Sequence, residues 1–244
     1  MIIMRDTILF KIGGSVLEHK NLLKSTISQI TPLHEESAVK RIVIIPGGGS
    51  YANLIREIYK IADIGDELAH WMAIYTLNFN GKRLSRLYPN FKLIEEINDI
   101  LHSSRIICIF LPFRYLEKTD ELPHNWNVTS DSIALFIAYK LGLKEVFLVK
   151  DIDGIMDSDN NLIKHASTKK LRELKIRKIP GIIDDNFSEL KEQTKPLDPY
   201  SLELIDRYQI SCTILNGEEK KLRISNYFQN VSVKDKIFTR ITHG

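Results

Sequence analysis

Ile8-Leu9-Phe10-Lys11-Ile12-Gly13-Gly14-Ser15 is a short apolar run that takes in one lysine and empties into two glycines and a serine. Arg41-Ile42-Val43-Ile44-Ile45-Pro46-Gly47-Gly48-Gly49-Ser50 repeats the design. In each, the apolar run reads as a buried strand and the residues after the turn read as a helix. Glycine lets the backbone turn tightly and brings bare N–H groups up to an anion, and the following helix adds the positive end of its dipole. Two such turns in one chain predict two phosphates, or one phosphate and an acceptor, held face to face with Lys11 between them.

Outward from these turns the chain alternates. Leu22 to Ile30 reads as a helix closed by Pro32, and Val39 to Ile45 as a second strand. Ala52, Leu54, Ile55, Ile58, Tyr59 and Ala62 recur at helical spacing, the chain breaks at Asp63-Ile64-Gly65-Asp66, and a second helix runs from Glu67 to about Asn78. Phe91 to Glu95 and Arg105 to Leu111 read as strands. Pro112 to Asn127, polar and carrying Pro112 and Pro123, reads as a loop over the site. Thr129-Ser130-Asp131 opens a helix that Gly142 ends, and Glu145 to Lys150 is a further buried strand. Beyond an acidic turn from Asp151 to Asn161, Leu171 to Leu174 reads as a short helix and Ile179 to Asp185 carries no clear pattern. Asp198-Pro199 starts a helix to about Arg207, followed by a strand over Ser211 to Leu215 and a closing strand over Lys236 to Thr242. Strands alternating with helices predict an α/β chain with a mostly parallel sheet covered on both faces.

The 244 residues suffice for one large domain, or for two intimate lobes with a seam near 115–127. The net charge of +3, with no basic stripe interleaved with aromatics, argues against a nucleic-acid partner. No apolar run approaches the roughly 18 residues of a membrane span. Met1-Ile2-Ile3-Met4 is interrupted by Arg5 and Asp6 and makes no signal peptide, so the expected location is the cytoplasm. Cys108 and Cys212 lie in strand-like runs and read as small buried hydrophobes in a reducing compartment, although a disulfide between them stays open at this level.

Phosphoryl transfer needs mainly positioning and charge neutralisation, which a lysine leaving a strand beside glycine N–H groups can supply. A surface lysine beside a tight turn is the plainer reading of Lys11 alone; the second turn and a downstream acid favour function. Asp131, at the start of its helix, can hold Lys11 in place or take a magnesium ion, and Thr129 can cap that helix while facing a substrate. Gly47, Gly49 and Ala52 fit a degenerate dinucleotide fingerprint, but the acid due about 20 residues on falls at Asp66-Glu67, in a helix–break–helix stretch, so a dehydrogenase is disfavoured. Asp151, Asp153, Asp157 and Asp159 suggest a calcium loop, which fails because Leu162 and Thr168 stand where glycine and glutamate are required. The better reading is the rim of a nucleotide pocket, with Lys150, Asp153 and Gly154 near base, ribose or phosphates. His70-Trp71 reads as core packing or as acceptor-pocket wall, and Trp126 in the polar loop strengthens the second reading.

Together, Lys11-Ile12-Gly13-Gly14-Ser15, Pro46-Gly47-Gly48-Gly49, Thr129-Ser130-Asp131 and Val149-Lys150-Asp151-Ile152-Asp153-Gly154-Ile155 resemble, in order and over nearly the whole chain, the amino-acid kinase superfamily. That superfamily includes uridylate, acetylglutamate, isopentenyl-phosphate and aspartate kinases. The resemblance implies a three-layer α/β/α sandwich over residues 1–244, with an acceptor-binding part to about 125 and a part from about 126 that binds ATP with Mg2+. By the same resemblance Lys11 stabilises the transferring phosphoryl group, Asp131 organises the site, Gly13, Gly14 and Ser15 hold nucleotide phosphates, and Gly47, Gly48 and Gly49 hold the acceptor. Lys20, nine residues after Lys11, matches a second phosphate-contacting lysine of the isopentenyl-phosphate kinases. Ser50-Tyr51-Ala52 departs from those kinases' Phe-Gly-His, and Asn53 stands where bacterial uridylate kinases place an arginine.

The blocks from Leu122 to Ala134 and from His70 to Ile74 instead resemble the archaeal subgroup containing the methanofuran-pathway aminomethylfuran-methyl phosphate kinase. The expected acceptor is then a phosphomonoester, with Asp66, His70, Trp126 and Thr129 in its pocket, and the expected assembly is a homodimer or higher homo-oligomer. A UMP kinase, or a non-catalytic nucleotide- or oxyanion-binding storage or sensor protein on the same fold, are the alternatives.

Overall fold

The computed structural model describes residues 6–35, 39–176, 196–229, 232 and 234–244. Among the described residues eight strands form one sheet: β1 (Thr7–Ile12), β2 (Arg41–Pro46), β3 (Lys92–Ile94), β4 (Ile106–Phe110), β5 (Glu145–Lys150), β6 (His165–Ser167), β7 (Ser211–Asn216) and β8 (Thr239–Thr242). Their order is β3-β4-β2-β1-β5-β7-β8-β6, and every neighbouring pair is parallel except β7 with β8.

Ten α-helices are described: α1 (Gly14–Glu18), α2 (Lys20–Glu35), α3 (Gly49–Ala62), α4 (Asp66–Leu87), α5 (Ile97–His102), α6 (Pro112–Thr119), α7 (Ser130–Lys140), α8 (Thr168–Ile176), α9 (Pro199–Tyr208) and α10 (Arg223–Phe228). Alternate strand residues face opposite layers. Ile8, Phe10, Ile12, Ile42, Ile44, Phe147 and Val149 bury against α1, α2 and α10. Leu9, Val43, Ile45, Val146, Leu148, Cys212 and Ile214 bury against α7 and α9 on the other side. This is the three-layer α/β/α sandwich with a mostly parallel sheet. Cys108 and Cys212 are both buried and both free thiols.

The register places the site. Lys11 pairs with Leu148 across β1 and β5, so Lys11 shares a face with Val146, Leu148 and, two residues on, Lys150. Both lysines therefore stand at strand carboxyl ends on the α7 side. Here the strand order reverses: the chain builds outward through β2 and β4 on one side of β1, and through β5 and β7 on the other. The crevice outside such a reversal is where open α/β sheets bind ligands.

Several elements differ from the sequence expectation. α2 runs through Pro32 to Glu35 rather than stopping before it. The stretch expected as loop from Pro112 begins with α6, because Pro112 sits in the first helical turn, where its missing N–H costs nothing, and Leu116 anchors the helix in the core. α4 extends to Leu87 rather than about Asn78. Its polar residues read as a helix end but are buried tertiary contacts: Asn80 donates to the Gly47 and Gly48 carbonyls (2.8 and 2.9 Å), and Asn78 accepts from the Phe113 N–H (3.1 Å). α8 is longer than its expected span, β8 is shorter, and Ile179 to Asp185 lies outside the described residues.

Candidate active site

The two glycine turns touch, backbone to backbone. Gly13 donates its N–H to the Val149 carbonyl and Gly47 donates to the Ile12 carbonyl, both at 2.8 Å, so each turn is pinned to the end of β1 or its neighbour. A Cβ on Gly14 would overlap the Gly49 backbone, and one on Gly47 would lie 2.9 Å from the Gly14 nitrogen. Gly49 itself has φ +58°, the left-handed region that favours glycine. Asn80 holds the carbonyls of the second turn, and the Glu18 carboxylate accepts from the Ser50 N–H.

Beside the turns lies a buried charge triad. Asp131, in the first turn of α7, presents Oδ1 to Lys11 Nζ at 2.8 Å, and Oδ2 accepts a hydrogen bond from Lys150 Nζ at 2.9 Å. All three are closed off from solvent, at 5, 4 and 8% exposure for Lys11, Asp131 and Lys150. The Lys11 contact is one of charge rather than of hydrogen-bond direction, since Oδ1 has no well-aligned donor. Burial pushes the Lys11 ammonium down from its ordinary pKa, against the raising effect of Asp131. Burial alone would raise Asp131, but the two lysines outweigh it and hold the carboxyl down at about 2.

The head of α7 is set by a second buried acid. Asp198, N-cap of α9, accepts from the Thr129 N–H (3.2 Å) and hydroxyl (2.6 Å), from the Ser132 N–H (3.0 Å) and hydroxyl (2.5 Å), and from the Ser201 N–H and hydroxyl (both 2.7 Å). The Thr129 oxygen in turn accepts from the Asp131 N–H at 3.3 Å. One carboxylate therefore caps two helices and, through Thr129, fixes the residue that bridges the lysines. The sequence signalled only the cap of α9.

The remaining expected site residues sit in separate clusters of contacts. His70 is 4% exposed and stacks on His124 (centroids 5.1 Å apart), while burial and His124 push its pKa down to about 4. His124 Nε2 meets Asp120 Oδ1 at 2.7 Å, and Trp71 packs edge-on against both imidazoles. Asp66 is exposed at the head of α4, where it accepts the Tyr59 hydroxyl at 2.5 Å. Trp126 lies between Tyr59 (5.7 Å) and the Arg56 guanidinium (5.1 Å from its ring centre). On the other side of the triad, Asp153 meets Arg223 at 3.3 Å and Lys221 at 3.5 Å, and Gly154 (φ +147°) lies against Thr239. Ser15 lies in the short helix after the first turn and Lys20 is exposed at the start of α2.

The structure thus brings Lys11, Asp131, Lys150 and both glycine turns together, and joins Thr129 to them through Asp131. Asp66, His70, Trp126, Lys20, Asp153 and Gly154 make no contact with the triad that would join them to it. Sequence reasoning missed Asp198 in its second role and Arg56 altogether, and it named Tyr59 only as a position in a helix and His124 only within the Leu122–Ala134 block.

A dry pair of ammonium groups at a strand-order reversal, beside two glycine turns in contact, is equipment for moving a phosphoryl group between two bound anions. That defines the class. Residues 6–216 match the model of the amino acid kinase family, and the chain belongs to that family as a phosphotransferase. It is 34% identical over 193 residues to the [5-(aminomethyl)furan-3-yl]methyl phosphate kinase of Methanocaldococcus jannaschii, covering 76% of this chain and 82% of that one. A uridylate kinase of Methanococcoides burtonii is 23% identical, with 94% of each chain covered. Among solved structures, the uridylate kinase of Archaeoglobus fulgidus matches with TM-score 0.67 at 14% identity, over 98% of this chain and 100% of that one. The UMP kinase of Ureaplasma parvum matches with TM-score 0.64 at 17% identity, over 99% and 97%. Among the described residues no helix is long and apolar enough to cross a membrane.

Proposed function

We propose that this kinase transfers the γ-phosphoryl group of ATP to a small phosphomonoester, [5-(aminomethyl)furan-3-yl]methyl phosphate or a near relative, giving the diphosphate and ADP. The observation that carries the reading is the buried Lys11–Asp131–Lys150 triad beside the joined turns. In this reading the part to about residue 125 holds the acceptor, on Gly47–Gly49, and the part from about 126 holds ATP, with its phosphates against Gly13, Gly14 and Ser15. An ionised oxygen of the acceptor phosphate attacks the γ-phosphorus in line, the bond from that phosphorus to the bridging β,γ-oxygen breaks, and ADP leaves. The attacking oxygen carries no proton, so no general base is required. Lys11 and Lys150 neutralise charge on the equatorial and leaving oxygens, and Asp131 keeps both ammonium groups in place until the anions arrive.

Magnesium is implied by ATP use. Both Asp131 oxygens already face ammonium groups, and among the described residues no three His, Cys, Asp or Glu side chains converge. The donors present do not make a protein cage, so in this proposal the ion comes with the nucleotide. Self-association is proposed through the face where Tyr51, Tyr75 and Phe79 are exposed around a shallow apolar cavity of about 310 Å³ between α3 and α4; sedimentation velocity reading a monomer at micromolar concentration would remove it.

Mass spectrometry of reactions with ATP, Mg2+ and a panel of phosphomonoesters tests the function. Gain of one phosphoryl group by the aminomethylfuran ester supports the assignment. Comparable turnover of UMP would replace it with a uridylate kinase, and nucleotide binding with no product from any ester would favour a storage or sensing role.

A further inference from the structure

The outer part of α3 carries a cation that the triad does not use. Gly49, Asn53 and Arg56 follow one another at i, i+4 and i+7 and so share one stripe of the helix. The stripe begins at the glycine that touches Gly14 and ends at a guanidinium. Helical side chains lean toward the N-terminus, so Arg56 reaches back toward the acceptor turn, and Arg56 Nη1 donates to Asn53 Oδ1 at 2.9 Å, one turn earlier.

Arg56 is half-buried on the face of Trp126, yet among the described residues no carboxylate pairs with it, and burial alone shifts its pKa, downward. The nearby acids are engaged: Asp66 with Tyr59 and Asp120 with His124. Trp126 adds a second unmet need, because its indole Nε1–H is buried without an acceptor. The guanidinium has one neutral oxygen, from Asn53, and no counter-ion, and the indole N–H has no acceptor, so donor capacity here exceeds what the protein answers. The loop carrying Trp126 leads within three residues to Thr129 and the head of α7, and Arg56 is seven residues along α3 from Gly49, so the chain tethers these donors to both the triad's helix and the acceptor turn.

We propose that Arg56 and Trp126 bind the phosphate that the acceptor already carries, the arginine through its N–H fork and the tryptophan through its indole N–H. The acceptor's identity rests on the reading above; the clamp itself does not. A phosphate monoester supplies enough oxygens and charge to fill both donors together with the Gly47–Gly49 turn, whereas the parent alcohol supplies neither. Arg56 and Trp126 are thereby specificity-determining residues that make this a kinase for phosphorylated acceptors.

The test uses the full chain with Trp71→Phe, which leaves Trp126 as its one tryptophan. Its emission is titrated with [5-(aminomethyl)furan-3-yl]methyl phosphate and with the parent alcohol, and in parallel with UMP and uridine. The expected result is a saturable change with one of the phosphates at about tenfold or more lower concentration than its alcohol. Arg56→Gln should weaken that phosphate by a similar factor, and Arg56→Lys should restore part of it. In steady state Arg56→Gln should raise the acceptor KM about tenfold while the ATP KM stays within about twofold. Equal binding of phosphate and alcohol in both pairs, or an unchanged acceptor KM in Arg56→Gln, overturns the proposal. Phosphate-selective binding that depends on Arg56, but with no phosphoryl product, would sustain the clamp while sinking the kinase acceptor assignment.

Discussion

Two buried aspartates flank the head of α7 and are satisfied by opposite chemistry. Asp131 faces two ammonium groups; Asp198 faces three backbone N–H groups and three hydroxyls. Neutral donors already saturated by a carboxylate have nothing left for a ligand, so Asp198 holds helices and acts on the site only through its charge, which favours the ammonium form of Lys11. Ammonium groups bridged by one carboxylate carry a surplus positive charge, and that surplus is available to phosphates. Burial is common to both acids, and the charge of their partners is what separates them.

The largest expected effect lies on the charged side. Lys11→Ala leaves Asp131 paired with Lys150, so the core keeps a balanced charge and should stay folded, while kcat should fall by about 10²–10³-fold. Stopped-time assays alongside circular dichroism check both halves. A kcat within threefold of the parent would mean that the triad is structural, and the contrast between the two acids would collapse.

Gly14→Ala comes next. Its new Cβ would overlap the Gly49 backbone and force the two turns apart, and a displacement of about 1 Å at such a site can cost about 10²-fold in rate. Because the turns share the contact, the KM values for ATP and for the acceptor should rise together. A rise in only one of them would show that the turns act independently.

The central layer and the triad's two signature members were legible because they rest on local rules: apolar runs of strand length, glycines after them, and a capping threonine before Asp131. Lys150 was legible as a site residue, but its partners were not, since the register of β1 on β5 that sets it on the same face as Lys11 is a non-local fact. Asp198 read as the cap of α9 and nothing more, because its hold on Thr129 and Ser132 spans more than 60 residues of chain. Arg56 carried no signal at all; a lysine- and arginine-bearing helix face normally reads as solvated, and only the fold brings Trp126 over it. α4 was cut short for a related reason: Asn78, Asn80 and Gly81 are poor helix formers, but Asn80 and Asn78 bond the acceptor turn and α6, and Gly81 packs closely on Leu111, Ile109 and Pro46.

The charged acid should also govern acid stability. Asp131 titrates at about 2 in the folded chain against 3.8 for an ordinary aspartate, so the unfolded state binds the proton first as pH falls. The stabilisation is fully present above the ordinary aspartate range and is lost as pH falls toward 2. Urea unfolding midpoints between pH 5 and pH 2 should show this slope, and Asp131→Asn should remove its share while leaving two buried lysines uncompensated. A parallel pH dependence in parent and variant would place the titrating group elsewhere.

The smallest effect, and the sharpest for the comparison, belongs to Asp198→Asn. The amide oxygen can take the Oδ2 position and keep the Thr129 and Ser132 N–H groups, while the Ser132 and Ser201 hydroxyls rotate to accept from the amide N–H₂. Only the Ser201 N–H, which cannot reverse its role, is left facing a donor. The head of α7 then stays in place and the cap of α9 is weakened, costing about 1 kcal/mol, or roughly 2–4 °C in Tm for a chain of this size. Because Thr129 still holds the Asp131 N–H, kcat should stay within about threefold, against a change of orders of magnitude for Lys11→Ala. A loss of kcat as deep as that of Lys11→Ala, with Tm unchanged, would show that the charge of Asp198 reaches the transferring group and that the two acids are one functional unit.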